Sequence, residues 1–282
     1  MVMEIISNSK ISLFLVFIIL ALITIYYNRS KHFEERNLGQ LIVSFLQGII
    51  IGLIFPEYFQ YASILALSYY LISINIWAMI PFFLKSFSGK FEDYNDEQLI
   101  RELKKISEIE NLKFILKKYS SNNSMNAFCL PKNQIILGEE LILNLTTAEK
   151  IFVIAHEIGH ILNKDFIKKS IENIALMIIL VLISIKLYPV IIVSKETYAY
   201  FLINFMIFIS GILVLNLISW HSEYDADKKA FQLTKDKKSL ESAFTKLKER
   251  SHDKDYGMII NLIVYNHPLI KDRIKRCEKL NQ

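Results

Sequence analysis

Residues 154–160 read Ile154-Ala155-His156-Glu157-Ile158-Gly159-His160, and this stretch decides how the rest of the chain is read. On a helix, residues four apart share a face, so His156 and His160 can aim two imidazoles at one ion. Neutral imidazole is a common zinc ligand. Glu157 is offset by one residue. It therefore sits beside such an ion rather than on it, where it can take a proton from an activated water. The chain has six His and 28 Asp+Glu in 282 residues. At that composition a chance His-(Asp/Glu)-x-x-His is expected in about one chain in a hundred. The competing reading is a helix with two exposed histidines and an unrelated glutamate.

Immediately upstream, Thr146 to Glu149 has the pattern of a capping box that opens this helix. Ile151, Ile154, Ile158 and Ile161 then give it a buried face. Asn163-Lys164-Asp165 ends the pattern. Further upstream, Asn95 reads as an N-cap with Gln98 at the third helical position, followed by Leu99, Leu103 and Ile106 at helical spacing. Leu112–Tyr119, Asn126–Leu130 and Asn133–Leu137 read as short strands, with a polar turn over Ser120–Ser124. The motif thus belongs to a small α+β unit.

The remainder is of another kind. The chain is 52% hydrophobic and 22% charged, with a mean hydropathy of +0.31. Such a chain segregates into apolar spans and charged soluble parts. Five apolar runs stand out: Ile11–Tyr27, Leu41–Phe55, Tyr58–Leu84, Ile171–Val193 and Thr197–Ser219. The second contains Gly48 and Gly52, a small-xxx-small pair. Lys85, Lys90, Lys164, Lys168, Lys169, Lys228 and Lys229 flank the spans on one side, while the short hairpin loops carry Glu57 and the pair Lys195-Glu196. By the positive-inside rule the soluble parts are expected in the cytoplasm. The net charge of +5 comes without a basic, aromatic-interleaved patch, so no nucleic-acid partner is expected. Cys129 and Cys277 form no CxxC and suit a reducing compartment.

Two histidines do not complete a catalytic metal site, which takes three protein ligands and an open position. After the fifth run comes His221-Ser222-Glu223-Tyr224-Asp225-Ala226-Asp227. Glu223 and Asp227 are four apart, so one can ligate while the other hydrogen-bonds the far nitrogen of a ligand histidine. The plainer alternative is a solvated acidic helix start. The apolar hairpin between the two motifs returns the chain to the same membrane face, with the fourth and fifth spans continuing the two metal-bearing helices. His221 would point away from Glu223 and reads as surface; His32 and His252 sit in charged loops. His267-Pro268, with Arg273 six residues on, is explained on spacing alone by a proline-capped helix start with a surface histidine.

Taken together, these residues resemble one family of integral-membrane gluzincins, the HtpX-type heat-shock membrane proteases and the type I CAAX prenyl proteases. Four segments match in order: Asn126-Ala127-Phe128; His156 to His160 with Asp165 shortly after; Glu223-Tyr224-Asp225-Ala226-Asp227; and His267-Pro268 through Arg273-Ile274. The match covers roughly Leu99 to the C-terminus. The resemblance implies Zn²⁺, one per chain, held by His156, His160 and Glu223. It implies Glu157 and His267 as catalytic residues, with Asp227 and Arg273 supporting them. It also implies that Asn126, Ala127 and Phe128 form an edge strand lying along the substrate. Two features depart from the pattern. Trp220 stands where the family often has an arginine, and three apolar runs, rather than two, precede the catalytic part. The chain is too short for the large chamber of the prenyl proteases, so the HtpX-like branch is favoured.

The expected fold is a mainly α membrane protein. About five transmembrane helices carry a cytoplasmic α+β gluzincin metalloprotease domain that a transmembrane hairpin interrupts. Residues 1–84 form the N-terminal membrane region, 85–170 the first part of the protease domain, 171–219 the hairpin and 220–282 the second part. The expected function is zinc-dependent endopeptidase action on polypeptides, among them membrane or misfolded proteins, at the bilayer of a bacterial plasma membrane. The alternative is a catalytically impaired zinc-binding scaffold or signalling protein, which the intact Glu157 opposes and Trp220 favours.

Overall fold

The computed structural model describes residues 91–109, 111–119, 125–130, 132–194, 197–250 and 254–279. The three N-terminal apolar runs, and His32 and His252 with them, lie outside the described residues. What is described is mostly helical with one small sheet. It divides into two compact units.

One unit comprises Ala78–Lys169, Ile218–Tyr256 and His267–Gln282. Its sheet has the order β1-β2-β4-β3, from β1 (Phe91–Asp93), β2 (Ile115–Tyr119), β3 (Ala127–Leu130) and β4 (Gln134–Gly138). β4 lies between β2, which it pairs in parallel, and β3, which it pairs antiparallel. Every residue of β4 is accordingly buried. β1 was not anticipated from its sequence. Its residues pair in register with β2, and two directly opposed pairs, Glu92–Lys118 and Asp93–Lys117, are ion pairs at 2.8 Å and 3.0 Å. β3 sits at the other edge. Its register places Ala127 opposite Leu137 and Cys129 opposite Ile135. Side chains alternate along a strand, so Ala127 and Cys129 share the face that carries the buried Ile135 and Leu137.

That face packs on the helices. Leu99, Leu103 and Ile106 of α1 (Glu97–Ile109), Leu141 of α2 (Glu139–Asn144), and Phe152, Ile154 and Ile158 of α3 (Thr147–Leu162) form one core. Phe244 and Leu240 of α6 (Lys237–Arg250) complete it, Phe152 and Phe244 meeting edge to face at 5.4 Å. Each such side chain contributes about 1.5–3 kcal/mol on burial. α1 is capped by Asp96, whose carboxylate accepts from the Leu99 amide at 3.0 Å. The expected cap, Asn95, lies one residue too early. Asp96 is favoured because an ionised carboxylate suits the positive end of the helix dipole.

The cap of α3 follows the pattern read from sequence. Thr146 Oγ1 accepts from the Glu149 amide, and the Glu149 carboxylate accepts from the Thr146 amide at 2.7 Å. Glu149 is buried and also accepts from Ser242 Oγ at 2.5 Å and Lys246 Nζ at 2.7 Å. Burial alone raises its pKa; the bonds from Lys246, Ser242 and Thr146 outweigh it and hold the carboxylate down at about 2. One residue thereby ties the start of α3 to α6.

α3 stops at Leu162, with Asn163 as its C-cap and Lys164 in the left-handed region at φ 55°. A new helix, α4 (Asp165–Ser194), begins at once. The motif helix is therefore not continued by the following apolar run, as the sequence reading expects. A left-handed residue breaks the hydrogen-bonded ladder there. α5 (Thr197–Thr234), in contrast, runs unbroken from its apolar part to its acidic part.

Of the described residues, the other unit holds those within Ser170–Leu217 and Gly257–Asn266. In it Leu180 packs with Ile207, Phe208, Ile212 and Leu215, and with Ile263 of α7 (Met258–Val264). Yet Ile171, Ile174, Ile178 and Leu182 of α4, and Leu202 and Met206 of α5, are all exposed. Among the described residues one stretch, Phe205–Thr234, meets the length and apolarity needed to cross a membrane. The count of five spans stands as an expectation beyond that.

Candidate metal centre

The cluster built around His156 belongs entirely to the first of these units, on α3, the first residue of α4, α5, α8 (Ile270–Glu278) and the turn before α8. What brings α3 and α5 together is an absence of side chain. A Cβ on Gly159 would lie 3.0 Å from Ala226 Cα and 3.1 Å from its carbonyl oxygen. The small pair lets the two backbones approach closely, and Glu223, one helical turn before Ala226, then reaches the two histidines.

His156 Nε2 and His160 Nε2 are 3.1 Å apart. Glu223 places Oε2 at 3.4 Å from the first and Oε1 at 3.5 Å from the second. Zinc–ligand bonds of about 2.0–2.1 Å at tetrahedral angles put neighbouring donors about 3.3 Å apart. The three separations bracket that value, so the donor set fits one tetrahedrally held ion.

The far side of each imidazole is engaged by a carboxylate. His156 Nδ1–H donates to Asp227 Oδ1 at 2.8 Å, and His160 Nδ1–H donates to Asp165 Oδ2 at 2.6 Å. Ionised carboxylates only accept, so these bonds select the tautomers whose Nε2 lone pairs face each other and Glu223. The carboxylates are held in turn. Arg273 grips Asp227 with both prongs, Nη2 to Oδ1 at 2.6 Å and Nε to Oδ2 at 2.8 Å. Its guanidinium also lies 4.7 Å above the Phe244 ring. Ser222 Oγ donates to Asp165 Oδ2 at 2.7 Å. His267 Nδ1 stands 3.1 Å from Glu223 Oε1.

The electrostatics have one sense. Four buried carboxylates, Glu157, Asp165, Glu223 and Asp227, belong to this cluster, and the guanidinium of Arg273 pairs with two of them, Asp227 at 2.6 Å and Glu223 at 3.5 Å. Burial pushes the pKa of Glu223 up, but His267 and the two ligand histidines overcome it and leave it well below the usual range. Asp227 is likewise raised by burial and lowered further by Arg273. Burial disfavours charge on the imidazoles. Even so, Asp227 and Glu223 hold His156 above its ordinary value, and Glu223 and Asp165 lift His160 to about 10. The pocket stabilises positive charge at its centre, and a divalent cation would supply that charge with both imidazoles neutral.

Glu157 is buried and turned towards β3, where the Cys129 thiol bonds its carboxylate. The thiol pKa is pushed up by burial first and by that carboxylate second, so Cys129 stays protonated and donates. Asn126 and Ala127 lead into the edge strand, Asn126 O accepting from the Gly138 amide at 2.9 Å. Phe128 points away from the α3-facing side that Cys129 occupies. The outer edge of β3 has no sheet partner among the described residues.

His156, His160, Glu157, Glu223, Asp227, Arg273 and His267 thus come together, with Asn126–Phe128 on the neighbouring edge strand. His221 is exposed and pairs with Asp225 at 3.4 Å, away from the cluster. Three contributors were not assigned a role from sequence. Asp165 orients His160, and the only hint was its place after the motif. Ser222 holds Asp165, and Cys129 bonds Glu157; neither carries a sequence signal. Trp220, in the position of the missing arginine, is buried.

Residues 93–281 match the model of Peptidase family M48. Among solved structures, that of S. mikatae Ste24p is similar in fold, with a TM-score of 0.53 and 20% sequence identity over 94% of this chain. The chain spans 66% of that structure's length. No curated protein matches.

Proposed function

The chain belongs to peptidase family M48, a family of metal-dependent peptidases, and from that premise we propose that it is an integral-membrane, zinc-dependent endopeptidase of the HtpX-like kind. The observation that carries the reading is the set of three donors at tetrahedral spacing, with Glu157 buried beside them. His156, His160 and Glu223 would hold the ion. When bound, zinc supplies Lewis acidity, lowering the pKa of a water towards about 7 and polarising a scissile carbonyl.

The remaining work falls to the protein's own groups. Glu157 accepts a proton at its carboxylate and returns it to the departing amine nitrogen. The Cys129 thiol holds that carboxylate in place. His267, half exposed beside Glu223, donates to the carbonyl oxygen as that oxygen gains charge. Asp227 and Asp165 keep both imidazoles in the ligating tautomer, and Arg273 fixes Asp227. The free edge of β3, entered from Asn126, binds extended substrate through main-chain hydrogen bonds. That mode gives affinity with little sequence demand, which suits misfolded or unassembled membrane proteins as substrates.

In this reading residues 1–84 provide three spans and residues 171–219 a hairpin of two more. The two parts of the protease domain, 85–170 and 220–282, lie on the cytoplasmic side of a bacterial plasma membrane. The exposed isoleucines of α4 and leucines of α5 support a lipid solvent for the hairpin. The deciding experiment uses the purified full-length protein without chelator, with casein and a membrane protein as substrates. Glu157→Gln retains one zinc per chain and loses cleavage by about 10²–10⁴-fold. Undiminished cleavage by Glu157→Gln, or a wild-type preparation without stoichiometric zinc, overturns the proposal.

A further inference from the structure

α7 has a divided character. Asn261 and Leu262 are buried, and Ile263 packs on the cluster of Leu180, Ile207, Phe208, Ile212 and Leu215. Asn216, itself buried on α5, donates from Nδ2 to the Leu262 carbonyl oxygen at 2.6 Å. The second half of α7 is therefore fastened to the apolar hairpin by a buried polar bond and an apolar contact. The first turn is the reverse. Met258, Ile259 and Ile260 are consecutive, large and apolar, and they are 71%, 69% and 50% exposed. Gly257 precedes them at φ 90° and ψ 155°, a conformation open in practice to glycine alone. The chain is thus turned sharply into a helix whose leading residues face outwards.

Three neighbouring large hydrophobes at a helix start cost solubility unless something apolar covers them. We infer that the first turn of α7, Met258–Ile260, is an interfacial anchor seated in the headgroup–acyl boundary of the bilayer. The bilayer is favoured as the occupant for two reasons. α7 is fastened at Asn216, inside the Phe205–Thr234 stretch that is long and apolar enough to cross a membrane. Leu217, the residue after Asn216, and Val214, half a turn before it, are themselves exposed apolar side chains. Asn216 also lies within one turn of Ser219, which Lys169 reaches at 3.3 Å. Polar side chains at the end of an apolar stretch and a short apolar turn beside them are what lipid headgroups meet at an interface. The anchor rests on the membrane reading proposed above.

The test uses the full-length protein in phosphatidylcholine nanodiscs. A cysteine introduced as Ile259→Cys, in a Cys129→Ser/Cys277→Ser background, carries an environment-sensitive fluorophore. Met258→Cys serves as a second position in case the first disturbs packing. Leu202→Cys, at an exposed position of α5, reports on the membrane reading itself. The expected result is blue-shifted emission at 258, 259 and 202, quenched by spin-labelled lipid and little by aqueous iodide. Iodide quenching at 258 and 259 with lipid quenching at 202 overturns the anchor and leaves the membrane reading intact. Dry emission at 258 and 259 that lipid cannot quench overturns it in favour of a protein contact. Iodide quenching at 202 as well removes both.

Discussion

Isoleucines on two helices of this protein live in opposite surroundings. On α3, Ile154 and Ile158 are 0% and 1% exposed, while on α4 Ile171, Ile174 and Ile178 are 61%, 62% and 56% exposed. The first pair sits on an amphipathic helix whose apolar stripe meets a sheet and a partner helix. The second set sits on a helix apolar nearly all round. The difference teaches that hydrophobicity alone does not say what a side chain will meet. Where a polar face exists, the apolar face finds protein; where none exists, the surplus apolar surface needs a solvent of its own kind, and in the membrane reading proposed above that solvent is lipid. The contrast extends to charge. The unit with the amphipathic helices holds a buried cluster of four carboxylates, of which Asp165, Glu223 and Asp227 are each matched by a histidine, an arginine or a hydroxyl, while Glu157 faces the Cys129 thiol.

The contrast can be broken or sharpened by substitution. The largest effect is expected where the buried charge does chemistry, with Glu157→Gln losing 10²–10⁴-fold in cleavage, about 3–5 kcal/mol, while keeping its metal. Next comes the protein-covered isoleucine. Ile158→Ala should destabilise by about 2–5 kcal/mol in a thermal or denaturant unfolding series, whereas Ile178→Ala should stay within about 1 kcal/mol. Equal losses at the two positions would mean that Ile178 is covered by protein after all. Ile178→Asp separates lipid from water. Facing lipid it costs about 2.5–3.5 kcal/mol and should reduce the membrane-integrated fraction; facing water it would change little.

Glu149 sharpens the comparison through pH. Its folded pKa of about 2 lies below the ordinary 4.5, so the carboxylate favours the fold when ionised. That contribution is complete above pH 4.5, fades as pH falls towards 2, and is gone below it. The stability gap between wild type and Glu149→Gln should therefore be widest near neutrality, about 1–2 kcal/mol, and should close on acidification. A gap that widens in acid would reverse the assignment. The smallest effect is expected at Cys129→Ala. Loss of one thiol donor to Glu157 should lower kcat/KM by less than about tenfold, with Cys129→Ser restoring it. An unchanged kcat/KM in Cys129→Ala would reduce the thiol to packing.

Much of the local structure was legible because it depends on neighbours in sequence. The capping box at Thr146–Glu149 and the isoleucine stripe of α3 need only helical spacing, and both were readable in advance. So were the three short strands, to within two or three residues at each end. The cap of α1 was misplaced by one residue because Asn95 and Asp96 both satisfy the rule, and only the hydrogen bond to Leu99 chooses between them. The break after α3 was read as the end of a pattern but not as a left-handed turn at Lys164, since lysine gives no conformational warning. β1 was missed because three charged or aromatic residues carry no strand period of their own and acquire one from β2.

The order of motifs along the chain, His156 to His160, then Glu223 to Asp227, then His267 to Arg273, is a property of the sequence and is sufficient to pose the metal site. It also carries the polarity of the flanking lysines and the apolar runs. Which acid meets which nitrogen was left to tertiary structure. Spacing makes Glu223 and Asp227 equivalent. The contact of Gly159 with Ala226 sets the helix approach, so that Glu223 faces the two Nε2 atoms and Asp227 meets His156 Nδ1. The hydrogen bonds from His160 to Asp165, from Ser222 to Asp165 and from Cys129 to Glu157 are likewise tertiary. Periodicity is a short-range consequence of the backbone and can be read along the chain. The partner of a buried polar atom is decided by which elements pack together, and that is visible only once they have.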